Sequence, residues 1–291
     1  MRRIIAGLSV VLGFFASASF ATADNRVVSV LYAGSLVNLM ERSVGPAFEK
    51  DTGLRFSGYA AGSNKLANEV KGRLRRGDVF ISADPKVNES LTGAANGDWV
   101  RWYINFAESP LLLGYNPRSH FADDLKSKRW DQVLQEKGIR IGRTDPKLDP
   151  KGVLTVELVT RAAEAYMEPD LVARTLGSAD NPEQIFPEET LVGRLQSGQL
   201  DVGFFYSTET VTLKIPSIKL PPELAPKARY TIAVLNNSQN MQGANRFVSF
   251  LLGPQGTPLL TEHGIDVIHP TLSGDKHAVP LAIQTAIDAI Q

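Results

Sequence analysis

Two short turns share one chemistry. Ala33-Gly34-Ser35-Leu36 and Ala61-Gly62-Ser63-Asn64 each set a glycine and a serine hydroxyl at the start of a segment with helical period. Glycine lets a ligand approach the backbone closely, and a helix start offers free N–H groups at the positive end of its dipole. Together they make an anion site that needs no cationic side chain. Read singly, Ser35 and Ser63 are ordinary N-caps, a role serine fills well. Two near-identical turns after consecutive strands point instead to a shared ligand.

Three further residues could act on that ligand. Asp149 lies in a proline-bracketed loop, Asp145-Pro146-Lys147-Leu148-Asp149-Pro150, just ahead of Gly152 and a helix. It faces a ligand or caps that helix. Glu223 stands in Leu220-Pro221-Pro222-Glu223, where two prolines fix the backbone, and reads otherwise as a solvated loop acid. Tyr206, with Ser207 after it, ends an apolar strand and lines a cleft or only finishes the strand. His120, His263, His269 and His277 show no metal-ligand spacing, and no nucleophile elbow, P-loop or dinucleotide fingerprint is present.

These residues hang on an alternating frame. Strands are expected at Val27–Tyr32, Leu54–Tyr59 and Asp78–Ser82, with helices between them, the first interrupted at Gly45-Pro46. A second set begins near Leu111, with strands at Ile139–Gly142 and Asp201–Tyr206 and helices from Trp130, Val153 and Leu191. A tail from Tyr230 returns to one strand and two helices. Such alternation predicts an α/β protein of two lobes, residues 24–108 with 211–291 and residues 109–210, whose chain crosses near Phe106–Pro110 and again near Tyr206–Lys214. Ligands of open α/β sheets sit beyond the carboxyl ends of the strands, where the turns above lie.

Composition narrows the partners. Lys plus Arg, 31, equals Asp plus Glu, 31, so there is no basic face for nucleic acid and no polybasic membrane patch. Met1-Arg2-Arg3, the uncharged Ile4–Phe15 stretch and Ala21-Thr22-Ala23 fit a secretory leader of residues 1–23, cleaved before Asp24. With no cysteine there is no lipid anchor and no disulfide, so an exported, soluble monomer with a full-sized core is expected.

Taken together, Leu31–Leu36 (LYAGSL), Ala60–Asn64 (AAGSN), Asp78–Asp84 (DVFISAD), Asp145–Gly152 (DPKLDPKG), Leu220–Glu223 (LPPE) and Ala244–Gly256 resemble the molybdate/tungstate-binding proteins of ABC importers, most closely the tungstate branch well represented in archaea. That resemblance implies a periplasmic-binding-protein type II fold with an oxyanion in the cleft, an inner-membrane permease as partner, a periplasmic location and no cofactor. It implies that Gly34, Ser35 and Ser63 supply donors, and that Asp149 and Glu223 bind the Mo or W centre directly. One departure stands out: the branch often continues Cys-Gly-Tyr-Arg after Asp-Pro, where this chain has Lys151-Gly152-Val153-Leu154. Two carboxylates beside a dianion repel it unless they ligate the metal, which Mo(VI) and W(VI) allow and the sulfur of sulfate does not. The alternatives are the same fold with sulfate, a sugar phosphate or ferric iron, and an exported hydrolase using Ser35 or Ser63.

Overall fold

The computed structural model describes residues 26–289 except Ala179, so the expected leader lies outside the described residues. Strands β1 (Val27–Ala33), β2 (Arg55–Ala61) and β3 (Val79–Ser82) are parallel, with β1 between its two partners. The antiparallel β8 (Lys227–Val234) follows β3 in the sheet, then the long β4 (Trp102–Tyr115). Beyond β4 come β6 (Val202–Tyr206) and β5 (Ile141–Gly142), while β7 (Ser217–Lys219) and β9 (Asp266–Gly274) also pair with β4. Among the described residues no helix is long and apolar enough to cross a membrane.

β4 belongs to both halves of the molecule. Residues Trp102–Pro110 pair with β8 and β9, whereas Leu111–Tyr115 pair with β6 and β7. The change of partners falls at Pro110, which has no N–H to continue a ladder. A bulge between Asn105 and Ala107 bends the strand just before it. Near Phe106–Pro110 the chain is therefore an unbroken strand that joins the two halves into one hydrogen-bonded path. At the second crossing Ser207 Oγ lies 2.8 Å from Ser109 Oγ, so Tyr206–Ser207 does pass beside it. The lobe boundary at 210 needs correction, however. β7 pairs with Leu112–Gly114 in the second half, and the chain returns only through Leu220–Lys227.

Local rules account for the helices near the cleft. Pro46 cannot donate to an i−4 carbonyl, and the expected break becomes a widened π turn, Met40–Val44, ahead of the Gly45–Thr52 helix. The Pro150–Ala165 helix starts three residues before the expected Val153, because Asp149 caps it and Pro150 suits its first position. Gly152 is required there. A Cβ would lie 2.5 Å from the Thr144 carbonyl oxygen and 2.6 Å from Pro146 N, as the 144–149 loop folds back on the first helical turn.

Candidate oxyanion site between the lobes

The sheet register puts the two Gly-Ser turns side by side, since Ala33 at the end of β1 pairs with Ala61 at the end of β2. Neither serine is an N-cap. The cap positions are Ala33 and Gly62, and both hydroxyls point elsewhere. Ser63 Oγ accepts from Ala83 N–H at 3.1 Å, which leaves its own proton free to donate. Ser35 Oγ lies 3.0 Å from the Tyr230 hydroxyl, and with Tyr230 donating, Ser35 too has a proton to offer. Both serines are buried.

The second lobe closes over these turns. Lys65 N–H donates to the Leu148 carbonyl at 3.1 Å, and Asp149 follows Leu148. Asp149 is buried, and one of its oxygens, Oδ1, accepts from Lys151 N–H at 2.7 Å. The capping reading is thus correct for that oxygen. Among the described residues Oδ2 meets no donor beyond a proton shared with the Glu188 carboxyl. Glu188 begins the Glu188–Gln196 helix, is buried, and lies so close to Gly34 that any Cβ there would collide with its carboxylate. A cavity of about 220 Å³ opens beside this pair, lined by Gly62, Lys65, Thr144, Asp149 and Glu188 among others.

Glu223 does not join them. It is exposed, and no hydrogen bond or ion pair ties it to Asp149, Ser35 or Ser63. The reason is local: Leu224 N–H and Ala225 N–H both donate to the Pro221 carbonyl, a turn that sends Leu220 and Leu224 inward and Glu223 out. The acid beside Asp149 is Glu188, which lies three residues ahead of the helix start expected at Leu191 and was not singled out in the sequence.

Lys151, Glu209 and Tyr230 were also missed. Lys151 is fully buried, with Nζ 3.0 Å from Glu188 Oε1 and 2.8 and 2.9 Å from the two Glu209 oxygens. Its one visible signal was the departure from Cys-Gly-Tyr-Arg. Tyr206 ends β6 fully buried, edge-on to Tyr230 with ring centroids 6.3 Å apart, and its hydroxyl has no hydrogen-bond partner among the described residues.

Burial governs the protonation states. It works against the Lys151 charge, but Glu188, Glu209 and Asp149 outweigh it and hold the ammonium above its ordinary range. Burial and then the Asp149 charge push Glu188 up to about 8, and burial raises Asp149 and Glu209 as well. Tyr206 and Tyr230 are raised well above their usual value by burial, so they remain phenols and donors. The site therefore offers hydroxyl and helix-start donors on one side and two touching carboxyls on the other. An electrophile that accepts two carboxylate oxygens can replace the shared proton.

Ser35→Ala and Ser63→Ala should each weaken binding of an oxyanion by about 1.5–3 kcal/mol, the worth of a hydrogen bond to a charged group. Titration calorimetry decides it, and wild-type affinity in either variant removes that serine from the site.

Known proteins resemble this chain in sequence and in fold. Residues 28–266 match the family model described as bacterial extracellular solute-binding protein. An uncharacterized solute-binding protein of Petrotoga mobilis is 28% identical, over 88% of each chain. The molybdate/tungstate-binding protein WtpA of Thermococcus kodakarensis is 24% identical over 84% of this chain and 83% of its own. Among solved structures, the periplasmic molybdate-binding protein of Azotobacter vinelandii superposes with a TM-score of 0.65 at 19% identity, covering 82% of this chain and 98% of that one. At that identity the likeness supports the two-lobed binding-protein fold alone.

Proposed function

This chain belongs to the bacterial extracellular solute-binding proteins, and on that footing we propose that it captures molybdate or tungstate between its lobes for the permease of an ABC importer. It works as a monomer in the periplasm, with residues 1–23 removed on export. The observation that carries the ligand assignment is the Asp149–Glu188 carboxyl pair set against both Gly-Ser turns. At a donor-only anion site these acids oppose a dianion. As ligands to Mo(VI) or W(VI) they complete an expanded oxygen shell that also keeps the oxyanion's own oxygens on Ser35, Ser63 and Tyr206. The names of relatives such as WtpA point the same way.

Other readings fit the site less well. Sulfate cannot recruit the carboxylates. Ferric iron, a bare cation, would meet the Lys151 ammonium among the acids. A serine hydrolase needs a base, yet Ser35 is held by Tyr230 and Ser63 by a backbone amide.

A thermal-shift screen with molybdate, tungstate, sulfate and phosphate tests the proposal. With ligand at about 100 times its Kd, linkage supplies about 2.7 kcal/mol. The midpoint should then rise by about 5–10 °C with the two metal oxyanions. An equal or larger rise with sulfate, or none with molybdate and tungstate, overturns it.

A further inference from the structure

We infer that Lys151 is a positioning residue that fixes which oxygens of Asp149 and Glu188 meet the metal of the bound oxyanion, and thereby sets discrimination against sulfate. The inference rests on the carboxylate-ligand reading above. Lys151 touches both acids, by different groups. Its backbone N–H takes Asp149 Oδ1 at 2.7 Å, and its Nζ takes Glu188 Oε1 at 3.0 Å. Each carboxyl is thus held by one oxygen and presents the other: Oδ2 of Asp149, which has no other donor, and Oε2 of Glu188, which lies against Gly34. Two single oxygens from neighbouring carboxyls suit two adjacent positions of an expanding metal shell.

Lys151 is itself held from behind. Glu209 accepts from its ammonium with both oxygens, and Glu209 Oε2 also accepts from Tyr206 N–H at 2.9 Å. Glu209 therefore presents no free oxygen and acts as an anchor. Thr155 Oγ1 donates to the Lys151 carbonyl at 2.8 Å, which pins the helical turn carrying it. The ammonium also sits 5.2 Å from the Tyr206 ring, so a cation–π contact limits its movement. Among the described residues no other side chain is hydrogen-bonded to both acids.

The test compares wild type with Glu209→Gln and with Lys151→Met/Glu209→Gln, using sodium molybdate as probe. The double variant removes one charge of each sign, so the net charge of the cleft is unchanged and general repulsion cannot explain its effect. It also removes Glu209 together with the ammonium that both of its oxygens hold, so Glu209 is not left as an uncompensated buried charge, and the Nζ contact to Glu188 is the one put to the test. Molybdenum-edge X-ray absorption should count six oxygens in wild type and in Glu209→Gln, and four in the double variant. Molybdate affinity of the double variant should fall about 10–100-fold, as for lost outer-shell support of metal ligands, while sulfate affinity stays within about threefold. Six oxygens retained in the double variant, or four already in Glu209→Gln, overturns the role of Lys151 and leaves the function standing. Four oxygens in wild type, or no molybdate binding at all, overturns both.

Discussion

Replacing Asp149 with Asn or Glu188 with Gln should weaken molybdate binding on the order of 100-fold each, about 2.7 kcal/mol, the upper range for a lost interaction with a charged group. The changes are nearly isosteric and spare the fold. Asn caps a helix as well as Asp, so the Oδ1 bond to Lys151 N–H survives as an amide carbonyl bond. Gln at 188 can still accept from Lys151 Nζ. The electrostatic expectation runs in the other direction. The comparison is made above the value of about 8 to which Glu188 is pushed, where the Asp149–Glu188 pair has lost its shared proton and both acids are charged. Either substitution removes negative charge from the cleft, and a site that binds dianions only through donors should improve. The two mechanisms thus differ in sign. Sulfate is the control in the same proteins: its weak binding should rise as molybdate binding falls. Improved or unchanged molybdate binding in both variants would falsify carboxylate ligation, and the serine and helix-start donors would remain as a tetrahedral anion site.

What could be read in advance follows how local each signal is. The Gly-Ser turns were legible because strand, small-residue turn and helix are encoded within about ten residues, and the parallel register of β1 and β2 then aligns them. Asp149 was legible for a similar reason, since Pro150 and Gly152 mark the helix start on either side. Glu188 was not. Its neighbours Pro187 and Glu189 describe only a helix beginning, and its role comes from Lys151 and Gly34, both remote in sequence. Glu223 misled because a proline pair fixes the backbone without stating which way the side chain leaves it. Here the burial of Leu220 and Leu224 decides, and it sends the acid to solvent.

The same contrast applies to the frame. The parallel β1–β3 units came through within a residue or two: β1 and β3 are apolar runs that are largely buried, and the half-exposed β2 is marked by the Ala-Gly-Ser turn that ends it. β7 and β9 were missed: β7 is three residues long, and β9 carries Pro270 and is half-exposed along much of its length. The late return of the second crossing depends on β7, so the lobe boundary inherited that miss. Signals for β4 as one strand were present on both sides of Pro110, yet a proline within an apolar run argues for two elements. The structure keeps one by changing partners there.

Gly62→Ala should hold the lobes apart without weakening the unliganded protein. Gly62 has φ −55° and ψ 134°, which alanine adopts without strain. Its lost place as an N-cap and its gain from a stiffer unfolded chain are each within about 1 kcal/mol. Stability in the absence of ligand should therefore stay near wild type. Closure is another matter. In the closed arrangement a Cβ at 62 would lie 2.5 Å from the Leu148 carbonyl oxygen and 3.1 Å from Asp149 Cβ. That carbonyl cannot withdraw easily, because Leu148 N–H and Asp149 N–H are both tied to the Asp145 carbonyl and the loop is braced against Gly152. It is also the acceptor for Lys65 N–H, the backbone bond that joins the lobes beside the site. The new methyl must push the second lobe away, carrying Asp149 off the Ser63 turn. Overpacking of this kind costs about 1–3 kcal/mol, or about 5- to 150-fold in affinity. Small-angle scattering should show the wild-type radius of gyration contracting on molybdate, and the variant keeping its unliganded value at the same ligand concentration. Equal contraction with wild-type affinity would mean that Gly62 and Leu148 are not a closing contact, and that the ligand is held without the second lobe pressing on the first.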